Sequence, residues 1–111
     1  MTKQTDPLAI VRSASLACGN TTPAFFRRGI VNDRINTARV IAIEMLRADG
    51  RSWEEVAKAC GWKCHSSPHE LWYNHELERG DGRNKYAREY AHDFENAEVY
   101  LKEIRIKKGK R

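Results

Sequence analysis

Two helix-start signals stand close together mid-chain, Ser52-Trp-Glu-Glu and Ser67-Pro-His-Glu, with Gly61 between them. In each, the serine can accept a hydrogen bond from the backbone amide three residues on, and the glutamate can reach back to the serine amide. Proline suits the first helical position, because the N–H it lacks would have no partner there. The pattern therefore predicts two short helices, Trp53 to about Cys60 and about Pro68 to Arg79, with Gly61 and the run WKCHSS carrying the chain between them. Short helices gain most of their stability by packing a face against other elements, so this stretch commits the chain to a helical core.

The flanks fit the same class. Asp6 followed by Pro7 predicts a helix over 7–17 with Leu8, Val11 and Ser15 or Leu16 on its apolar side, stopped by Gly19-Asn20. Residues 20–32, with the Phe25-Phe26 pair and Gly29, read as irregular or short helix. From Asn32 or Asp33 to Ala48, Ile35, Ala38, Ala42, Met45 and Leu46 recur at helical spacing, and Arg34, Arg39 and Arg47 give a basic side; Asp49-Gly50 ends the helix. Gly80-Asp81-Gly82 is a turn. Beyond it, Tyr86, Tyr90, Phe94, Ala97, Leu101 and Ile104 alternate at spacings of three and four, which predicts one long helix over 84–108. The rival reading is a strand over VYLKEIRIK. The seam can close on the chain's own core or pair with a second copy, which makes this helix a candidate dimerisation element. The expected fold is an all-α, single-domain bundle of 111 residues with a helix-turn-helix core over 33–79, an extended turn, a long C-terminal helix and a basic tail over 105–111.

Charge narrows the partners. The chain has 20 Lys and Arg against 15 Asp and Glu, a net charge of +5 and a pI near 9.3, which favours an anionic partner. Arg105, Lys107, Lys108, Lys110 and Arg111 crowd the end of the chain, where cations also suit the helix dipole. No run approaches the roughly 18 continuous apolar residues of a membrane span. An odd number of cysteines and no apolar leader place the expected location in the reducing cytoplasm.

In a helix-turn-helix the first helix braces across the DNA backbone and the second enters the major groove, with a small residue at the junction and often a glycine in the turn. Ala57 is the candidate small residue, Val56 and Cys60 face inward, and Leu71, Trp72 and His75 or Leu77 form the buried stripe of the second helix. The segment ARVIAIEMLRADGRSWEEVAKACGWKCHSSPHELW resembles the C-terminal DNA-binding domain of DnaA-type replication initiators, in the Trp-repressor-like group. The matching positions are Arg39, Ile41, Ala42, Ser52, Gly61, Lys63, His65, Ser66 and Ser67. The resemblance implies that Lys63, His65, Ser66 and Ser67 contact phosphates and bases, and that Arg39 contacts a phosphate. The chain carries no nucleotide-binding motif, so the implied role is that of a small phage- or plasmid-type transcriptional or replication regulator on double-stranded DNA. Chemistry points the same way: serines and free amides opening a helix suit a phosphate, and His69, Tyr73 and Asn74 lie along the first turns, where side chains reach base edges. Lys107, Lys108, Lys110 and Arg111 add sequence-independent phosphate contacts.

Other readings use the same residues. Cys60, Cys64, His69 and His75 supply zinc ligand types, although His69 and His75, six apart, diverge on a continuous helix. Trp53, Trp62, Trp72 and Tyr73 could stack single-stranded bases, and equally could be core. No Walker or glycine-rich nucleotide motif, nucleophile–base pair or oxyanion site marks an enzyme. An adaptor or inhibitor of RNA polymerase or another host protein is the main competitor to DNA binding.

Overall fold

The computed structural model describes residues 6–19, 33–62 and 66–109, with five helices: α1 (Pro7–Ala17), α2 (Asp33–Ala48), α3 (Trp53–Ala59), α4 (Ser66–Arg79) and α5 (Lys85–Gly109). The all-α class is as expected, and the strand over VYLKEIRIK is not: that stretch is the continuous last part of α5. The Phe25-Phe26 segment lies outside the described residues.

Local chemistry sets the boundaries. Asp6 accepts from the Leu8 amide at 3.1 Å and caps α1. Ser52 and Glu55 form the full reciprocal box at the start of α3, each bond 3.2 Å long. Replacing Ser52 by Ala should therefore cost about 1 kcal/mol of stability, read as a lower urea midpoint; no measurable change would mean that the cap carries nothing. Both α2 and α3 end in a Schellman motif. In α2 the Gly50 and Arg51 amides return to the Arg47 and Leu46 carbonyls, and in α3 the Gly61 and Trp62 amides return to Lys58 and Ala57. Gly50 and Gly61 sit at φ 85° and 81°, where a Cβ is strained. Asn84 joins α4 to α5: its side chain donates to the Glu78 and Arg79 carbonyls and accepts from the Ala87 amide at 2.7 Å.

α2 is the hub, in contact with each of the other four helices. Thr37, Ala38, Val40 to Ile43, Met45 and Leu46 are all buried, so this helix is enclosed nearly all round rather than amphipathic with one basic side. Two of its arginines lie over indole rings: Arg39 over Trp62 at 5.3 Å and Arg47 over Trp53 at 4.8 Å.

α1 packs on α2 and α5, and its register differs from expectation. Val11 and Ser15 are buried as predicted, but Leu8 is 64% exposed and Ile10 and Ala14 take the core instead. The α5 seam of Tyr90, Phe94, Ala97, Leu101 and Ile104 belongs to this same core. Tyr90, Ala97 and Leu101 are buried in it, and Phe94 and Ile104 are partly buried against it.

The candidate nucleic-acid interface

α3 and α4 pack together across the Gly61 turn and both rest on α2. Val56, Ala57 and Cys60 are buried, as the junction requires. Trp53, His69 and Trp72 bind the two helices in an aromatic cluster with ring centroids 4.9 to 6.0 Å apart, and edge-on rings at such distances add to plain area burial. α4 opens at Ser66, two residues before the expected Pro68, so Ser67 and Pro68 lie in its first turn and Pro68 is fully buried.

On the far side of α4, the pair of Arg79 and Glu44, 2.8 Å apart, clamps it to α2. The Arg79 guanidinium also covers the Tyr90 ring at 4.2 Å. Burial, reinforced by the Glu44 carboxylate, holds the Tyr90 phenol well above its usual pKa. His75 is 6% exposed and hydrogen-bonded to the Tyr86 hydroxyl. Burial first, and the Arg79 charge second, lower its pKa to about 4. Of the two options for the buried stripe, His75 is the one used; Leu77 is 63% exposed.

These anchors fix the face that α4 turns to solvent. His69, Glu70, Tyr73, Asn74, Glu76, Leu77 and Glu78 are exposed, whereas Ser67 is half-buried and Ser66 is the first helical residue. Lys63, Cys64 and His65 lie outside the described residues, as do the side chains of Lys107 and Lys108 and both Lys110 and Arg111. Arg39 borders the turn through its stack on Trp62 and is half-buried, and this burial lowers its pKa.

Sequence reasoning missed the charge of this face. Between Ser66 and Arg79 the only Lys or Arg is Arg79, which is spent on Glu44, while Glu70, Glu76 and Glu78 are exposed. The run HELER carries the signal, and Glu70, which caps by its spacing and lies with His69, Tyr73 and Asn74 on the first turns, adds to it. The whole molecule is divided in the same way. All of the 15 acidic side chains except Asp33 belong to the described part, against half of the 20 basic ones. That part is net negative in a chain of charge +5, so the excess positive charge belongs to the remaining residues.

Of the candidate metal ligands, Cys60, His69 and His75 lie within the described residues and Cys64 does not. Cys60 is buried, and burial pushes its thiol up to about 12, far from the thiolate that a metal needs. His75 is committed to Tyr86 and His69 to the two indoles. Among the described residues no group of three or more His, Cys, Asp or Glu is placed to hold a metal ion. The stacking reading also weakens, since Trp53 and Trp62 already carry arginines; Tyr73, 51% exposed, is the free aromatic face on α4. No described helix is long and apolar enough to cross a membrane.

No protein-family model matches the chain, and comparisons with curated proteins and with solved structures find no match either.

Proposed function

We propose that this protein is a sequence-specific DNA-binding regulator, a small phage- or plasmid-type factor that acts by occupying its site. The observation that carries the reading is the braced pair α3 and α4, joined at Gly61 and held by Trp53, His69 and Trp72, with Tyr73 and Asn74 of α4 facing solvent. Ser66, Ser67 and the preceding Lys63 and His65 are the groove-entering segment, with His69, Tyr73 and Asn74 on the following turns. The carboxylates further along α4 limit insertion to that amino-terminal end, because they repel phosphates. Arg39 holds the strand beside the turn, and the tail of Lys107, Lys108, Lys110 and Arg111 supplies the long-range attraction.

The test is binding to a pool of duplexes across a salt series, with sequencing of the retained fraction. An enriched motif is expected, with affinity falling steeply as salt rises. Changing His65, Ser66 and Ser67 to Ala should weaken the preferred site about tenfold and relax the motif. Changing Lys107 and Lys108 to Glu should weaken every duplex alike and flatten the salt slope by about one per cation lost. Binding without a motif that vanishes near physiological salt would overturn the reading.

A further inference from the structure

Beside the outer face of α4 lies a hollow that gathers negative charge. Asn74 and Glu78 on α4 and Glu89 and Asp93 on α5, each pair one turn apart, line it together with Asn36 of α2 and Tyr86. Among the described residues, no Lys or Arg lines it. Glu78 makes no ion pair with a described residue, and Glu89 meets only Lys85, at 3.8 Å and exposed, a kind of pair that holds charge weakly. A recess walled by one sign of charge concentrates its field. The hollow therefore attracts a cation.

The carboxylates do not converge on a single point, since among the described residues no group of His, Cys, Asp or Glu is placed to hold a metal ion. Spread acceptors suit a guanidinium or an ammonium, which distributes several donors among them. The side-chain oxygens of Asn36 and Asn74 are further acceptors, and the Tyr86 ring offers a face to a cation.

The surface next to the hollow decides what carries that cation. Tyr73 and Leu77, one turn apart and 51% and 63% exposed, run along α4 beside Asn74 and Glu78. A free polyamine would leave both in water, and the carboxylates repel phosphate. A second copy is no better match, because the described part of this chain is itself net negative. We infer that this surface docks a basic segment of a second protein, which places an arginine or lysine in the hollow and an apolar side chain over Tyr73 and Leu77. On a DNA-bound regulator, such a contact would recruit that protein to the site. The assay below contains no DNA, so the docking surface and the DNA reading can fail separately.

The experiment selects peptides of about 15 residues from a random displayed library on the immobilised full chain. Enriched peptides are then synthesised and measured by fluorescence anisotropy at about 50 mM and about 500 mM salt. They should combine Arg or Lys with large apolar residues, bind in the micromolar range and weaken as salt rises. Glu78→Gln with Glu89→Gln should weaken them about tenfold or more, and Leu77→Asn should do the same. All three positions are exposed, so helix content should not change. Glu54→Gln with Glu103→Gln, also exposed, removes the same charge away from the hollow and should cost less than about twofold. An enriched class without cations, or none at all, would overturn the proposal. So would equal losses in the two glutamate pairs, binding that survives Leu77→Asn, or light scattering that shows a dimer dissolved by that substitution.

Discussion

Replacing Ile41 by Ala should lower the unfolding free energy by about 3 to 4 kcal/mol, toward the upper part of the range for buried aliphatic truncations. Ile41 is wholly inaccessible and sits in α2, the helix that touches all the others. Its helical neighbours Ala38 and Ala42 are too small to move into the space it leaves, and the surrounding helices are held in place by one another, so the cavity should persist. With a marginal total stability of about 5 to 15 kcal/mol for a domain, that loss is a large fraction of the whole. Urea unfolding followed by circular dichroism should show a lower midpoint with an unchanged slope. Leu8→Ala is the matched control: Leu8 is 64% exposed, and its loss should stay within about 0.5 kcal/mol. A cost under about 1 kcal/mol at Ile41, or a larger cost at Leu8, would show that the core is built on a different register.

That contrast marks where sequence ceased to be a guide. Helix starts and stops depend on residues within four positions of each other, so Asp6-Pro7, Ser52 with Glu55, and the glycines at 50 and 61 were readable directly. Which side of α1 is buried depends on partners far along the chain. Leu8, Val11 and Ser15 make a plausible face, but Ile10 and Ala14 meet α2 and α5 instead, and small residues spread along PLAIVRSASLA blur the periodicity. The enclosure of α2 was hidden for the same reason, because Thr37, Val40 and Ile43 fall outside the stripe of Ala38, Ala42, Met45 and Leu46 and are covered only by helices distant in the chain. The two polar links that orient α4, Arg79 to Glu44 and His75 to Tyr86, span 35 and 11 residues. Nothing local announces either pairing.

The candidate site divides along the same line. Its helices, its turn and the buried Ala57 were legible because caps and glycine turns are defined by local spacing. Its electrostatics were not, because a net charge of +5 says nothing about where cations lie relative to a face. The observed separation, an acidic helical body with cations concentrated in its connecting and terminal segments, changes the mechanism that charge supports. On the DNA-binding function proposed above, long-range attraction and register would be properties of different parts of the chain. Mutating the tail and mutating the α4 lead-in should accordingly produce effects of different kinds, one uniform across sequences and one selective.

Acid should expose the cost of burying His75. In the folded chain its pKa is lowered from 6.5 to about 4, first by burial and then by Arg79, so the fold holds a neutral imidazole that the unfolded chain protonates readily. The stabilisation is complete above about pH 6.5 and drains away as pH falls toward 4, because over that interval the unfolded state binds the extra proton. At 1.36 kcal/mol per pH unit the loss amounts to about 3 kcal/mol. Glu78, Glu89 and Asp93 line the same hollow as His75. The informative quantity is therefore the difference between the wild type and His75→Gln, in which most of the carboxylate contribution cancels. Between pH 7 and pH 4 the wild type should lose about 3 kcal/mol more than the variant, although the variant starts out less stable for want of the Tyr86 bond. Tyr86→Phe separates the two effects, since it removes that hydrogen bond and leaves the imidazole buried, and it should keep the wild-type pH slope on a lower baseline. Parallel curves for wild type and His75→Gln would mean that the imidazole is hydrated in the native state and that α4 is not seated on α5 through this pair.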